Sequence, residues 1–591
     1  MSFVSIPARL LARARKNPAR PAYYVRRDGV WRSTDWAGYA GGVKAVARSL
    51  IQLGLEKGDR VCILGFNRPE WVLMDVGAMA AGCVPAGIYT TSSPAEVQYI
   101  TAHTEAPVLL VEDHAQWKKV LEVRDQLPHL KKVVLMSGAA PVDDELVLTW
   151  EEFLEVGRPL PEGRVDERIA ALEPEDLATL IYTSGTTGPP KGVMLSHDNL
   201  AWTADVAKDI VQYQEGEKSL SYLPLSHIAE QMFTIHVPIS AGGRVYYAES
   251  IDKLRDNLVE VQPNVVFGVP RIWEKFYAGV AGKLAEAPEL RQKIAAWAMD
   301  VGRRASDLEN RGQSVGGLLA VQRRVADRLV FSKLKPVLGL GEARICVSGA
   351  APISADVLQF FSGLDINIRE VYGQSEDCGP TSFNQPGRTR FGTVGPALPG
   401  IEVTIADDGE ILVKGRNVFL GYFKDEAATA ETLRNGHLHS GDLGTFEDGF
   451  LRITGRKKDI IITAGGKNIT PKNIELALKQ SLEIIGEAVV IGDRRKFLSC
   501  VISLDAEQAA AWADEHGVSV DALHEDLRLR QELQNALDRV NADLAQVEKI
   551  KKFAVLPRPL SIEDGELTPT LKVKRAKVNE HFADVIEGMY A

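Results

Sequence analysis

An α/β protein with largely parallel sheets, followed by a smaller α+β unit, is what the sequence predicts. Three observations carry this. Short apolar runs alternate with helical stretches through most of the chain, the pattern of strands joined by crossover helices. At 591 residues the chain exceeds one ordinary core and has room for a second unit. Beyond about residue 400 the texture changes to short strands with glycine turns, in IEVTIADDGEILVKG and GFLRITGRKKDIIITAGG.

Taken in order, the N-terminal stretch MSFVSIPARLLARARKNPARPAYY predicts an amphipathic helix with Ile6, Leu10 and Leu11 on one side. The first residues are basic but lack the continuous apolar core and small-residue cleavage site of a secretory leader. RVCILGF is a strand, followed by a helix from Pro69 to about Ala81 and the strand VPAGIY. PVLLVED, KKVVLMS and LATLIYT continue the alternation, and ARICVSG and NIREVYG flank a helix from about Ser354 to Ser362. Residues from about 285 to 335 are charged and helical in period; they read as a helical insertion with a solvated face. Thr470 and Pro471 are the N-cap and first residue of a later helix. The domain boundary is set at Arg456–Asp459, giving units 1–455 and 456–591.

The composition narrows the function classes. Apolar residues make up 45% and charged residues 25%, the mix of a soluble globular protein. The formal net charge of −10 provides no basic field for nucleic acid, so an anionic ligand needs local groups. Five scattered cysteines without a CxxC pair predict reduced thiols and a cytoplasmic setting rather than a disulfide framework or metal-thiolate site. No stretch offers about 20 uncharged apolar residues, so no membrane span is expected.

One loop carries the chemistry. YTSGTTGPPKGV (182–193) follows an apolar strand. Its glycines permit positive φ and close backbone approach, its hydroxyls and N–H groups are donors, and Lys191 adds a mobile cation. Together they suit a polyphosphate. The spacing is not GxxxxGK followed by Ser or Thr, and neither GxGxxG nor GxSxG is present, so a Walker loop, a dinucleotide fold and a hydrolase elbow all lack support.

The loop resembles the phosphate-loop signature of the adenylate-forming enzymes, which include acyl-CoA synthetases, luciferases and peptide-synthetase adenylation domains. LPLSHIAEQ (223–231), VSGAAPIS (347–354), VYGQSE (371–376), HSGDLG (439–444), GRKKDIIITAGGKNI (455–469) and LTPTLKVKR (567–575) follow in that family's order, so the resemblance spans essentially the whole chain. It implies a large N-terminal domain of stacked α/β subdomains and a small mobile C-terminal domain. It also implies two half-reactions: a carboxylate attacks the α-phosphate of ATP, then a thiol attacks the acyl-adenylate.

The resemblance assigns roles residue by residue. Thr183, Ser184, Gly185, Thr186, Thr187, Gly188 and Lys191 surround the β- and γ-phosphates. Glu376 helps hold Mg²⁺, for which carboxylate oxygen is a suitable ligand. Ser375 stands where the family usually has Thr, with its hydroxyl towards the α-phosphate. Tyr372 and Gly373, with the backbone of Gly349, Ala350 and Ala351, form the adenine slot. Asp442 takes the ribose hydroxyls, and Arg456 contacts ribose and phosphate. Lys572, three positions before Arg575, bridges the carboxylate and the α-phosphate; Lys574 and Lys577 are its competitors. Lys458 is the hinge, while Gly465, Gly466 and Lys467 line the channel for the pantetheine arm of CoA. His227 contacts the acid and is not read as a metal ligand.

Long-chain fatty acids are the substrates the resemblance favours. GVPRIWEKF (268–276) is similar to the segment carrying an aromatic gate to the acyl tunnel, with Trp273 at the gate position; a core tryptophan is the alternative reading. Each buried CH₂ is worth about 0.8 kcal/mol, so an apolar tunnel favours long chains over acetate. A medium-chain or aryl-CoA ligase, or an acyl-AMP ligase loading a carrier protein, is the second reading. A non-catalytic sensor is the third, and the presence of both Lys572 and Glu376 counts against it. A lipid substrate leaves room for peripheral contact with the inner face of a membrane.

Overall fold

The computed structural model describes residues 3–183, 189–464, 467–568 and 572–591. Its spine is an eight-stranded sheet in the order Gly421–Tyr422, Lys191–Ser196, Leu177–Thr183, Val84–Ile88, Arg60–Leu64, Val108–Val111, Lys132–Leu135, Val147–Thr149. The six strands from Leu177–Thr183 onward in that order are parallel. The central ones are apolar along their whole length because helices cover both faces; Val108–Val111, for example, is buried throughout. At the other edge the chain folds back on itself. Leu177–Thr183 pairs antiparallel with Lys191–Ser196, with Thr183 opposite Lys191. The glycine–threonine segment joins these two strands.

A second sheet holds the parallel strands Val265–Gly268, Ile345–Ser348 and Ile368–Tyr372, with Ser382–Phe383 antiparallel at its edge. A third, Lys218–Ser221, Arg244–Tyr247, Pro21–Arg27 and Val30–Asp35, brings the N-terminus back to the middle of the chain. The helix Ile6–Lys16 buries Ile6, Leu10 and Leu11 as their spacing predicts. Its Arg9 forks onto both carboxylate oxygens of Asp205 at 2.8 Å.

Helix starts follow local chemistry. Ser93 and Thr149 each form a reciprocal capping box with the glutamate three residues on, Glu96 and Glu152. Thr470 stands at the N-cap of Pro471–Ser481 with extended backbone, but its side chain makes no capping hydrogen bond. It packs instead against Gly455, where a β-carbon would lie 2.4 Å from the Thr470 methyl.

Between Val265–Gly268 and Ile345–Ser348 lie the helices Pro270–Ala285, Glu289–Asn310, Gly317–Ala326 and Ser332–Val337. Their outer charges pair along the helix, as Lys293 with Glu289 and Arg304 with Asp300, so this face is largely solvated. Among the described residues no helix is long and apolar enough to cross a membrane.

The fold is α/β, with a large N-terminal domain and a smaller α+β C-terminal domain. An antiparallel five-stranded sheet carries Glu402–Ile405, Glu410–Lys414, Leu433–Arg434, His437–Glu447 and Phe450–Arg456. The small domain is built on Ile485–Ile491, Leu498–Leu504 and Ile550–Val555. Its two apolar clusters draw only on residues from Ile461 onward, among the described residues.

Trp273 lies in a packed core. It is fully buried, its ring meets Phe361 and Phe276 edge-on at 5.7 and 6.2 Å, and Nε1–H donates to the Gly268 carbonyl at 3.3 Å. Trp273→Ala is therefore expected to destabilise the N-terminal domain by about 3–5 kcal/mol. Urea unfolding followed by far-UV dichroism measures this; a loss under about 1 kcal/mol would rule out a core role.

Candidate active site

The carboxyl ends of parallel strands are where an open α/β sheet offers a crevice to ligands. Two segments leave such ends in the second sheet. After Ser348 the backbone passes through Gly349, Ala350 and Ala351, and Ala350 takes the left-handed φ of 72°. Gly349 approaches the neighbouring strand so closely that a β-carbon would lie 2.7 Å from Val371 Cγ1. After Tyr372 comes a tight turn. A β-carbon on Gly373 would lie 1.5 Å from the Gly379 carbonyl oxygen, so only glycine fits. The buried Asp377 closes this turn, accepting from the Gln374 N–H at 2.5 Å and the Thr381 hydroxyl at 2.7 Å. Burial holds its carboxyl well above the usual range. Ser375 is buried in the same turn.

Asp442 and Arg456 face each other across antiparallel strands and pair at 3.3 Å. Asp442 Oδ2 also accepts from the Tyr372 hydroxyl at 2.9 Å and from Gln374 Nε2 at 2.5 Å. Tyr372 and Asp442, read from separate motifs, thus touch directly. Gln374 was not singled out in the sequence. Glu376 accepts from the Tyr422 hydroxyl at 2.7 Å, and Lys191 Nζ stands 4.9 Å over the centre of the same Tyr422 ring. Tyr422, also not singled out, joins the cation beside the phosphate loop to the predicted metal carboxylate. Lys191 lies 3.8 Å from Asp425 as well. Ser184, Gly185, Thr186, Thr187 and Gly188 fall outside the described residues, as do Gly465 and Gly466.

Lys572 comes from the small domain and reaches the same cleft. Its side chain is exposed, and the charges acting on it include those of Arg456, Asp442 and Glu376. Desolvation holds its ammonium below the ordinary lysine range, reinforced by the Arg456 charge; Asp442 and Glu376 act in the opposite direction. A short hairpin presents it: Leu567 bridges Val573, Thr568 N–H donates to the Lys572 carbonyl at 2.8 Å, and Lys572 N–H donates to Thr568 Oγ1 at 3.0 Å. Arg575 anchors the hairpin inside its own domain, donating to Glu475 at 2.6 Å and to the Val490 carbonyl at 2.7 Å. Lys577 is held on the surface by Glu580 at 2.8 Å.

His227 caps the short helix Ile228–Gln231. Its Nδ1 accepts from the Ala229 N–H at 3.1 Å, which leaves the proton on Nε2. Burial and then the Lys572 charge push its pKa down to about 4, so it is a neutral donor at neutral pH. At the domain junction, Lys457 is tied back to Asp408 at 2.6 Å and Glu410 at 3.2 Å, whereas Lys458 is exposed. Lys467 is exposed, and its N–H donates to Thr463 Oγ1 at 3.2 Å.

The arrangement gathers three cations, Lys191, Arg456 and Lys572, around two carboxylates, Glu376 and Asp442. Such a site can neutralise a polyphosphate while keeping carboxylate oxygen for hydroxyls or a metal. Among the described residues no cluster of three or more His, Cys, Asp or Glu could hold a metal alone. A single carboxylate fits Mg²⁺, which commonly takes phosphate and water oxygens as its other ligands.

The AMP-binding enzyme family matches residues 10–423, and the AMP-binding enzyme C-terminal domain matches residues 458–591. The chain belongs to the AMP-binding enzymes. A long-chain-fatty-acid–CoA ligase of Xenopus laevis is 38% identical over 597 residues, covering 95% of this chain and 80% of its own. A long-chain-fatty-acid–CoA ligase of Homo sapiens is 39% identical over 601 residues, covering 96% of this chain and 82% of its own. Among solved structures, o-succinylbenzoate CoA synthetase of Bacillus subtilis shares the fold with a TM-score of 0.69 at 21% identity, covering 98% of both chains. A fatty acyl CoA synthetase of Mycobacterium tuberculosis does so with a TM-score of 0.63 at 19% identity, covering 98% of this chain and 99% of its own. This AMP-binding enzyme is thus an adenylate-forming ligase that binds ATP and activates a carboxylic acid as its acyl-AMP.

The His227 geometry has a consequence for acid stability. Its folded pKa of about 4 lies below the ordinary value of 6.5, so the unfolded chain binds the extra proton between them. The contribution is complete above pH 6.5 and is lost as pH falls through about 4. His227→Asn should therefore flatten the fall in Tm between these pH values by about one proton's worth, as measured by scanning calorimetry. An unchanged slope would contradict a buried neutral imidazole.

Proposed function

We propose that this AMP-binding enzyme is an ATP-dependent long-chain fatty acid–CoA ligase, releasing AMP and pyrophosphate. The observation that carries the reading is the convergence of Lys572 with His227, Glu376, Asp442 and Arg456 in one cleft, although Lys572 belongs to the small domain. The long-chain choice is supported by the relatives at 38–39% identity, which span nearly the whole chain.

In the first half-reaction the fatty carboxylate attacks the α-phosphate and pyrophosphate leaves. Two anions must meet, so the transition state depends on fixed positive charge. The charge of Lys572 acts on His227, on the proposed acid side, and together with Arg456 and Asp442, on the proposed nucleotide side, which supports an ammonium that would bridge the two. His227 donates Nε2–H towards the acid. Lys191 and the loop after Thr183 hold the leaving phosphates, with the Ser375 hydroxyl beside the α-phosphate. Asp442 exchanges its Tyr372 and Gln374 donors for ribose hydroxyls, while Tyr372 and the Gly349–Ala351 backbone flank the base. Glu376 would hold Mg²⁺, which when bound supplies charge neutralisation to the phosphates.

The second half-reaction needs a different face of the small domain. Lys457 is tied to the N-terminal domain by ion pairs to Asp408 and Glu410, and Ile461 is the first residue in the small domain's core; farther along, Asp505 pairs across the domains with Arg271 at 2.9 Å. The short run between Lys457 and Ile461 includes the single turn Lys457–Asp459 with Lys458 exposed, and a hinge would change its backbone angles there. Rotation there withdraws Lys572 and brings the segment 464–469 towards the acyl-adenylate, where CoA attacks and AMP leaves.

Pyrophosphate and AMP release from ATP and Mg²⁺ with palmitate, octanoate or benzoate, each with and without CoA, tests the substrate. CoA-dependent AMP release that is greatest with palmitate is expected. A preference for benzoate would favour an aryl-CoA ligase, and adenylate never passed to CoA would favour a carrier-loading enzyme. Lys572→Ala should lower adenylation at least 100-fold, about 2.7 kcal/mol, yet leave transfer from supplied palmitoyl-adenylate to CoA within a few-fold of wild type. Equal loss in both halves would refute its role.

A further inference from the structure

A second charged site lies at the opposite end of the second sheet. A pocket of about 250 Å³ opens where its strands begin, lined by Glu309, Arg323, Lys335, Arg344, Asp365 and Arg369. Glu309 and Arg323 come from the helices Glu289–Asn310 and Gly317–Ala326, and Lys335 from Ser332–Val337. Arg344 precedes the strand Ile345–Ser348, and Arg369 is the second residue of Ile368–Tyr372. The strand from Arg369 ends at Tyr372, so the pocket is roughly 10 Å or more from the nucleotide crevice at the carboxyl ends.

The charges do not balance. Arg323 donates to Glu309 at 2.6 Å and to Asp365 at 2.7 Å, and Lys335 donates to the other Asp365 oxygen at 2.8 Å. Arg344 is paired with Glu217 at 2.6 Å. Arg369 has no carboxylate partner among the described residues, although it is only 8% exposed. It donates Nη1–H to the Asn367 carbonyl at 3.1 Å, and its Nε–H is buried without an acceptor. The side-chain amide oxygen of Asn367, on the same wall, is also buried without a partner. Oxygen and nitrogen of an amide exchange by a flip, so Asn367 can turn its NH₂ donors into the pocket. Burying an unpaired cation is costly, and a buried polar group left unsatisfied adds to that cost. One anion in contact with Arg369 removes both.

We propose that this pocket binds a phosphate-class oxyanion, with Arg369 as its principal contact and Lys335, Arg344 and the Asn367 amide around it. A guanidinium fork matches two oxygens of a tetrahedral anion, and an ammonium supplies a further point charge. Inorganic phosphate and a phosphate monoester share this chemistry.

Thermal unfolding of the full-length protein, titrated with inorganic phosphate, with glycerol 3-phosphate and with chloride at matched ionic strength, tests the proposal. A saturable rise in Tm with either phosphate compound but not with chloride is expected. A tighter response to glycerol 3-phosphate identifies an ester; an equal or weaker one identifies the free ion. The response should persist in Lys191→Gln, which alters the nucleotide site, and its midpoint should move up about tenfold or more in Arg369→Gln. A response lost in Lys191→Gln but kept in Arg369→Gln, or reproduced by chloride, would overturn the site. If Arg369→Gln does not fold, Lys335→Gln serves instead: weakening of at least about threefold supports the pocket, and unchanged affinity overturns it.

Discussion

The site depends on one carboxylate. Asp442 belongs to the antiparallel sheet, yet its oxygens are held by Tyr372 and Gln374, which leave the end of a parallel strand in another sheet, and by Arg456 on its own sheet. Two sheets that share one hydrophobic core are therefore held in register at this crevice. The Tyr372 and Gln374 contacts occupy the acceptor positions proposed for ribose hydroxyls. In the proposed binding mode two ribose hydroxyls would replace the Tyr372 and Gln374 donors one for one, so the net gain would come from the phosphates and the base rather than from the sugar.

The second organising fact is a division of labour along the C-terminal segment. Arg575 is spent inside the small domain on Glu475 and the Val490 carbonyl, which fixes the base of the hairpin. Lys572 is linked through its backbone to Thr568, and its charge acts together with those of Arg456, Asp442 and Glu376 of the other domain's site. In the proposed mechanism, a base anchored by Arg575 would let Lys572 be delivered to and withdrawn from the site as one unit with the small domain.

Much of the fold was legible because it rests on local pattern. Apolar runs such as PVLLVED and LATLIYT are strands because they are covered on both faces, and Ile6, Leu10 and Leu11 are buried at helical spacing. Tyr372, Asp442 and Arg456 were legible through motifs in the family's order, and the structure brings the three together, whereas most of the phosphate loop, 184–188, falls outside the described residues. Three residues at the site escaped notice. Gln374 and Asp377 lie within or beside a recognised motif but act by closing a turn and holding Asp442, work that any polar residue there could suggest. Tyr422 acts through an edge strand of two residues, and its partners Glu376 and Lys191 are distant in sequence. Thr470 shows the converse: the local N-cap signal was right about position, but close packing against Gly455 took its side chain elsewhere.

The turn after Tyr372 bears on how this enzyme can be altered. With the Gly379 carbonyl 1.5 Å from where a Gly373 β-carbon would stand, no side chain of any size is tolerated there without moving the turn. Directed evolution towards new acids will find that position closed, whatever the selection pressure. Useful diversity has to be introduced elsewhere along the acid's path, and a library that spends codons on Gly373 chiefly samples inactive proteins.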